Sequence, residues 1–251
     1  FMHSATLLPS GRVLICGGYI SVTDEGVLVI DNSAEIYDPE TQSFSSTGLM
    51  LTPRGRCSAQ VIEDQNSEIY GSVVVGGGAS NLLAELYDEN AGVFSATAHG
   101  VSDDRYIGSA STHLADGTVL VTGGQTDAYF KGGSKVVGRY LNTAEVYDTS
   151  RVKFTRTAGA MTKKRRHHTA TLLQNGKVLI AGGENEDGGV SGADLYDPDK
   201  DIFTATASML EPRYKHTATL LTDGKVFLCG GANKLGSLQS CEIYDPATGL
   251  F

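Results

Sequence analysis

The feature that most constrains this chain is an internal repeat, which occurs five times along its 251 residues. One copy reads HTATLLQNGKVLIAGGENEDGGVSGADLYDPDKDIFTATASM from His168, and the next reads HTATLLTDGKVFLCGGANKLGSLQSCEIYDPATGLF from His216. The first copy begins HSATLLPSGRVLICGG, and two weaker copies lie in between. A period near ~50 residues is typical of propellers and solenoids, so the repeat decides how every other motif is interpreted.

Three marks recur in the same order in all five copies. Each copy has a glycine pair, then a Tyr-Asp pair, then a phenylalanine. The glycine pairs begin at Gly17, Gly77, Gly123, Gly182 and Gly230, the tyrosines are Tyr37, Tyr87, Tyr147, Tyr196 and Tyr244, and the phenylalanines are Phe44, Phe94, Phe154, Phe203 and Phe251. Successive phenylalanines are 50, 60, 49 and 48 residues apart, a spacing regular enough to define one structural unit per copy.

Each copy is expected to form four short strands. HTATLL alternates small polar and apolar residues, and KVLIAGG is an apolar, β-branched run of the kind that is buried on both faces. An Asn-Gly or Asp-Gly turn joins these two strands in most copies and favours a tight hairpin. AELYDP gives a third strand and FTATA a fourth. Glycine is poorly tolerated inside strands, so the glycine pair predicts a bulge or a close backbone approach.

These marks resemble the kelch repeat, in which a glycine pair is followed by a tyrosine and then by a second aromatic residue. The second aromatic is usually tryptophan in that family, whereas here it is phenylalanine five times and the chain has no tryptophan. The pattern is similar to a bacterial type of kelch repeat. The resemblance covers essentially the whole chain. It implies an all-β fold, a kelch-type β-propeller of four-stranded antiparallel blades around a central channel.

We predict one β-propeller domain over residues 1–251, with repeats at about 1–52, 53–103, 104–163, 164–211 and 212–251. The fifth repeat stops at Phe251, where its fourth strand would begin. Two arrangements fit: a five-bladed ring, or part of a six- to seven-bladed ring, and the second is favoured. Further blades or domains of a longer chain are therefore expected.

An Arg-x-x-His-Thr-Ala motif, or a variant of it, precedes the first strand of four repeats. Its arginines are Arg54, Arg105, Arg165 and Arg213, which we call the frame arginines. The motif also accounts for part of the basic run TKKRRHH, where Arg165 and His168 are motif positions. A solvated loop between blades is the favoured interpretation of the rest of that run, with a local anion-binding patch as the alternative.

The residue before the motif histidine is predicted to line one mouth of the channel. These positions are Met2, Arg56, Ile107, His167 and Lys215. In kelch adaptors of ubiquitin ligases, basic residues at similar positions bind acidic peptides. The strand period of two would place the frame arginines on the same face, which predicts a ring of positive charge suited to carboxylates or phosphates. The open alternative is that the frame arginines join blades structurally.

The loops after the glycine pairs differ most in length, and long loops on a rigid scaffold are where binding specificity usually lies. The longest, QTDAYFKGGSKVVGRYLN, carries Tyr129, Phe130 and Tyr140. Aromatic residues of this kind are enriched in interface hot spots, so these three complete the predicted binding set. The alternative is that the loop packs on the neighbouring blade.

No catalytic residue and no metal ligand is assigned from the sequence. Copper oxidases of the galactose-oxidase type and sialic-acid epimerases share the propeller fold, but the Tyr214-Lys215-His216 spacing departs from the oxidase pattern and no acid/base pair is marked. The DPDKD segment from Asp197 to Asp201 has the alternating acids of a calcium loop, so calcium is the one cofactor left open, although a solvated turn is favoured.

Four cysteines are present without CxxC spacing, which indicates neither a zinc site nor a disulfide framework. Cys16 and Cys229 hold the same place before their glycine pairs and are predicted to be buried apolar fillers. Cys57 stands where other repeats have the motif histidine and is expected to be more exposed.

The chain's net charge of −9 argues against a nucleic-acid partner, because an acidic protein repels polyphosphate at long range. No apolar run approaches the ~18 residues of a membrane span. The expected function is therefore a non-catalytic binding or scaffolding module for a protein or a glycan, acting through its loops and a basic mouth. The alternative is a carbohydrate-active enzyme on the same fold. The family resemblance implies a bacterial protein at an extracellular or cell-surface location.

Overall fold

The computed structural model describes residues 2–22, 28–79, 83–97, 100–103, 105, 107–126, 129–131, 134–136 and 138–251. Its first four blades are antiparallel sheets of four strands each, in simple chain order. Their strands are Ser4–Leu7, Val13–Cys16, Ala34–Asp38 and Ser43–Ser46 in blade 1; Ser58–Val61, Val73–Gly76, Glu85–Asp88 and Val93–Ala96 in blade 2; Ala110–His113, Val119–Thr122, Ala144–Asp148 and Lys153–Arg156 in blade 3; and Thr169–Leu172, Val178–Ala181, Ala193–Asp197 and Ile202–Ala205 in blade 4.

Blade 5 contains the strands Thr217–Leu220, Val226–Cys229 and Cys241–Tyr244. A single β-bridge between Asp245 and Leu250 marks the place where its fourth strand begins. The first strands of successive blades contact one another from blade 1 to blade 5, so they form the innermost layer. The molecule is an all-β β-propeller, as the repeat predicts, and it has five blades, which is the first of the two arrangements considered and not the larger ring that was favoured. Among the described residues, no helix is long and apolar enough to cross a membrane.

The second strands are buried on both faces in the middle of the molecule. Val119–Thr122 and Val178–Ala181 are buried along their whole length, as the continuous apolar runs predict. The second strands of blades 1 and 5, Val13–Cys16 and Val226–Cys229, have buried residues on only one face. The same sequence pattern therefore meets two packing environments, because the described residues cover only one face of the second strands of blades 1 and 5 but both faces of those of blades 3 and 4.

Apolar side chains of adjacent blades form the core between them. Leu14 and Ile36 of blade 1 pack with Val73, Val75 and Phe94 of blade 2 in one cluster. The remaining interfaces repeat this arrangement around the propeller, each with its own cluster.

The Tyr-Asp and Phe marks are explained by strand register. In each of the first four blades the tyrosine of the third strand lies directly opposite the phenylalanine of the fourth, as Tyr147 does to Phe154. In all five blades the two ring centroids are 4.7–5.0 Å apart in a tilted arrangement. Such aromatic pairs add to the stability of the outer edge of a blade.

Small hairpins follow the glycine pairs in four repeats. They are Tyr19–Val22 with Leu28–Ile30, Tyr129–Lys131 with Ser134–Val136, Glu184–Asn185 with Gly188–Gly189, and Ala232–Asn233 with Gly236–Ser237. The segments that were predicted to be variable binding loops are thus partly built as hairpins on a common scaffold.

The outward faces of blades 1 and 5 expose apolar side chains at positions that are covered elsewhere. Phe44 of blade 1 is 62% exposed, whereas its counterpart Phe94 in blade 2 is 7% exposed. Phe227 and Ile243 of blade 5 are exposed in the same way. The same repeat position therefore contributes different packing energies in different blades.

This difference predicts unequal costs for one substitution. Phe94→Ala should lower the free energy of unfolding by about 3–5 kcal/mol, because it leaves a cavity between blades 1 and 2. Phe44→Ala should cost less than about 1.5 kcal/mol, since the side chain is mostly exposed and loses chiefly its contact with Tyr37. Denaturant unfolding of the two variants measures both values. Equal losses would show that the outer face of blade 1 is covered in solution.

Candidate functional site

The glycine pairs mark the place where one repeat meets the next. The first glycine of each pair has a positive φ, which is 67° at Gly17, and a Cβ there would lie within 3.0 Å of the backbone of Arg54. The second glycine, Gly18, donates its N–H to the carbonyl oxygen of Arg54 at 2.7 Å. The close backbone approach that the sequence predicts is therefore an approach between adjacent blades. The three later frame arginines accept the same bond, from Gly78, Gly124 and Gly183.

The side chains of the frame arginines point into their own blades. All four are at most 1% exposed, and each guanidinium donates to the carbonyl oxygen of the first glycine in its own repeat. Each also pairs with a carboxylate of the third strand: Arg54 with Glu85 at 3.0 Å, Arg105 with Glu145 at 3.0 Å, Arg165 with Asp194 at 2.6 Å, and Arg213 with Glu242 at 2.8 Å. A buried guanidinium is tolerated because a carboxylate balances its charge and most of its donors are hydrogen-bonded; only the Nε atoms of Arg105 and Arg213 lack a partner among the described residues.

The frame arginines therefore do not line the mouth of the channel, and the predicted placement of Arg54, Arg105, Arg165 and Arg213 on its surface is wrong. Period-two alternation holds only within an extended strand. The first strand of blade 2 begins at Ser58, and the residues before it take a different conformation, with φ of 61° at Arg56.

A left-handed residue lies just before the first strand of every blade. These residues are Met2, Arg56, Gly108, His167 and Lys215, with φ of 60°, 61°, 69°, 55° and 55°. Non-glycine residues rarely adopt positive φ, so its recurrence at one position of the repeat indicates a shared constraint. Backbone hydrogen bonds link several of them: Arg56 donates to Met2 at 3.0 Å, His167 to Gly108 at 2.7 Å, and Lys215 to His167 at 2.9 Å.

In blade 3 this position is Gly108, so the prediction for Ile107 is wrong. Ile107 instead forms a β-bridge with Gln125, as Arg166 does with Glu184 in blade 4. Blade 3 has one residue more between its frame arginine and its first strand than blade 4, which shifts the position by one.

The left-handed residues of all five blades line one cavity of about 340 Å³ together with His3 and Ser109. We call it the mouth cavity. Three predicted binding residues, Arg56, His167 and Lys215, come together there. The cavity lies where the inner strands begin, and its wall is one short segment from each repeat.

The charge of the mouth cavity comes from Arg56 and Lys215. Burial, together with the nearby positive charges of Arg166, Lys215 and Arg56, lowers the pKa of His167 to about 3. His167 is therefore neutral at pH 7 and offers a hydrogen bond rather than a charge. Among the described residues that line the cavity there is no carboxylate. The guanidinium of Arg56 also lies 5.9 Å from the ring centroid of Tyr19 in the blade 1 hairpin.

The basic run that includes His167 is divided among different surroundings. Lys163 and Lys164 are exposed, and Lys164 pairs with Glu186 at 3.1 Å. Arg165 and His168 are buried. Of this basic run, only His167 lines the mouth cavity, so the anion-binding interpretation now concerns that residue alone.

Tyr140 packs against Arg166 beside the mouth. The guanidinium carbon of Arg166 lies 5.1 Å from the ring centroid of Tyr140. Arg166 also pairs with Glu184 at 3.0 Å and donates a short hydrogen bond to the side-chain oxygen of Gln125. Tyr140 is therefore partly occupied in packing blade 3 against blade 4, although its ring remains half-exposed.

The backbone of Tyr129 and Phe130 lies in the blade 3 hairpin. Their side chains lie outside the described residues, so their role in binding remains a prediction.

Two of the three carboxylates of the DPDKD segment are engaged within the protein, and the third, Asp199, is exposed. Asp197 pairs with Lys177 at 3.1 Å, and Asp201 accepts hydrogen bonds from the Tyr196 hydroxyl and the Ala158 N–H. Within the described part of the chain, no group of three or more His, Cys, Asp or Glu residues is arranged to hold a metal ion. The segment is a hydrogen-bonded turn.

Two contacts were not anticipated from the sequence. The motif histidines His168 and His216 are buried and reach threonine hydroxyls through Nε2, at 2.8 Å to Thr122 and 3.1 Å to Thr169. The cysteines also meet in space: Cys229 lies opposite Cys241 and is joined to it by a disulfide, while Cys16 meets Cys57. The prediction that Cys229 is an unpaired apolar filler is wrong, and strand register would have revealed its partner.

The buried pairs predict an asymmetric response to one conservative change. Glu145→Gln should destabilise the protein by about 3–5 kcal/mol, because it leaves the Arg105 charge buried without its counterion. Glu35 holds the same repeat position in blade 1 but is exposed. Glu35→Gln should change stability by less than about 0.5 kcal/mol. Denaturant unfolding of both variants is the measurement, and a small effect at Glu145 would contradict the structural role of the pair.

The buried histidines predict acid sensitivity. Burial, followed by the charge of Arg213, lowers the pKa of His216 to about 4, and His167 is lowered further. The unfolded chain protonates its histidines near ~6.5. Their contribution to stability is therefore complete above that pH and is lost as the pH falls toward the native pKa values. Each such histidine should add up to about 1.4 kcal/mol per pH unit to the slope of the unfolding free energy between pH 6 and 4.

Urea unfolding at a series of pH values measures this slope. His216→Gln should make the slope of unfolding free energy against pH shallower by the contribution of one histidine, up to about 1.4 kcal/mol per pH unit. A stability that stays constant from pH 7 to pH 5 would contradict the prediction.

No protein-family model matches the chain, and no curated protein matches it. Among solved structures it is similar to one titled "Structure of YjhT", with a TM-score of 0.72 and 12% sequence identity. The match covers 96% of this chain and 80% of that chain. A likeness at so low an identity concerns the fold alone, and it agrees with a β-propeller.

Proposed function

We propose that the chain is a non-catalytic binding module of the kelch type, whose mouth cavity holds an anionic group of a protein or glycan ligand. The repeat marks support the kelch assignment. The observation that carries the ligand class is the convergence of Arg56 and Lys215 on one cavity that has no carboxylate among its described lining residues.

The chemistry of the three polar side chains suits a carboxylate. Arginine presents a planar fork that binds carboxylates through two parallel hydrogen bonds, and lysine adds a compact positive charge. Neutral His167 can donate or accept beside them. The two cations come from blades 2 and 5, so a ligand that contacts both must sit in the cavity and not on a single blade.

One aromatic side chain lies beside this surface. Tyr140 of blade 3 is half-exposed and lies against Arg166, whereas Tyr19, near Arg56, is buried. Aromatic side chains beside a cationic cavity favour a protein segment or a sugar ring as the ligand. The net charge of −9 disfavours nucleic acid, because the outer surface repels polyanions before they reach the mouth. We place the protein outside the cell or on its surface, which the type of repeat supports.

The test is calorimetric titration with a hexaglutamate peptide and with 3′-sialyllactose, each against its uncharged counterpart, a hexaglutamine peptide or lactose. We expect the acidic member of at least one pair to bind, and rising salt to weaken it. Arg56→Glu with Lys215→Glu should reduce affinity at least ten-fold, the equivalent of about 1.4 kcal/mol.

The matched control is Lys153→Glu with Lys200→Glu, which makes the same change in net charge at exposed positions on the outer parts of blades 3 and 4. This variant should bind like the unaltered protein. If both variants lost the same affinity, the loss would come from the change in net charge and not from the mouth cavity. Unchanged affinity in the mouth variant would refute the proposed site. Turnover of the sugar during titration would favour the carbohydrate-active enzyme instead.

A further inference from the structure

The interface between blades 1 and 2 carries a thiol pair where the interface between blades 3 and 4 carries a hydrogen bond. His168, the third residue after its frame arginine, contacts Thr122, the residue before the glycine pair of the preceding blade. Cys57 and Cys16 hold these same two repeat positions at the interface between blades 1 and 2. The histidine and the threonine are thus both replaced by cysteine, and the two replacements face each other.

The two thiols are in contact. The Cys57 sulfur lies 3.9 Å from the carbonyl oxygen of Cys16, which brings the two cysteine side chains next to each other. Cys16 is 1% exposed within the core cluster of blades 1 and 2, and Cys57 packs on that cluster while remaining partly exposed. Of the two cysteines, only Cys57 has more than a trace of surface in contact with solvent, so a reagent would approach the pair from its side.

The environments of the two thiols differ in a way that suits stepwise oxidation. The hydrogen bond with Cys16, with a contribution from the charge of Arg54, lowers the pKa of Cys57. The hydrogen bond with Cys57 and burial raise the pKa of Cys16. Thiolates are the attacking species in disulfide exchange, so Cys57, which has the lowered pKa and the greater solvent contact of the two residues, is the group expected to react first.

We propose that Cys16 and Cys57 form a disulfide that joins blade 1 to blade 2, made by exchange with a low-molecular-weight disulfide. The Cys57 thiolate attacks one sulfur of that disulfide and releases one small thiol. Cys16 then attacks the Cys57 sulfur of the mixed disulfide and releases the second small thiol. The two protons of the cysteine thiols end on the two released thiols, and the small disulfide is the oxidant.

The other cysteines support this inference independently. Cys229 and Cys241 are directly opposite in adjacent strands of blade 5 and are joined by a disulfide. All four cysteines of the chain therefore lie in two contacting pairs. Such pairing is typical of proteins of oxidising compartments, which agrees with the proposed extracellular or cell-surface location.

The bond would also affect the mouth cavity, because Cys57 directly follows Arg56. A link from Cys57 to the core of blade 1 would hold the segment that carries Arg56 in its left-handed conformation. The inference itself does not depend on the proposed ligand.

The experiment uses the whole chain with Cys229→Ser and Cys241→Ser, so that only Cys16 and Cys57 remain. After equilibration with glutathione disulfide, its intact mass should be about 2 Da below that of the reduced chain, and it should resist alkylation by iodoacetamide. Digestion should yield one linked peptide pair containing both cysteines. Reduction should lower the melting temperature by roughly 5–10 °C, since the bond closes a long loop.

The matched control replaces the pair by the residues of the other interface, Cys16→Thr with Cys57→His, in the same background. It should fold and melt at one temperature with or without reductant. Alkylation of both cysteines after the oxidising treatment, a stable glutathione adduct on Cys57, or a cross-link between two chains would overturn the proposal.

Discussion

Each frame arginine fixes one blade to the next by two different parts of the same residue. Its carbonyl oxygen accepts a hydrogen bond from the glycine pair of the preceding blade, and its guanidinium binds the first glycine carbonyl and a carboxylate of its own blade. In the first four blades the first glycine of the pair is required because a Cβ there would collide with the carbonyl oxygen of the frame arginine. In blades 2, 4 and 5 the second residue after the frame arginine lies at the mouth cavity, so Arg56, His167 and Lys215 all line it.

The sequence is sufficient to predict the elements that depend on local pattern. Strand-sized apolar runs, Asn-Gly turns and the Tyr–Phe spacing are enough to predict the blades and the propeller, but not the cross-strand register. Burial of an apolar strand on both faces follows for Val119–Thr122, since blades lie on either side of it. The same reasoning does not distinguish Phe44 from Phe94, because the repeat is identical and only the neighbouring blade differs.

The candidate site was predicted in part, and its errors have a geometric cause. Arg56, His167 and Lys215 line one cavity, and their role in binding remains a prediction, whereas the frame arginines do not join them, because the chain between Arg54 and Ser58 is not an extended strand. One additional residue in blade 3 replaces Ile107 by Gly108 at the mouth. Contacts such as that between Cys16 and Cys57 join residues from different repeats, and no local spacing reveals them.

The motif position that follows the mouth residue can be occupied by different residue types. The backbone hydrogen bond between the glycine and the frame arginine already joins the blades and does not depend on that side chain. Histidine fills it in blades 4 and 5 and remains neutral, since burial opposes its protonation. Cysteine fills it in blade 2 and meets a second cysteine. The frame arginine has no such latitude, because its guanidinium satisfies carbonyls and a carboxylate that would otherwise be buried without partners. Within this motif, variation is therefore found just beyond the arginine, where the chain turns toward the mouth cavity, and that is where a repeat of constant architecture can acquire a ligand or a covalent link.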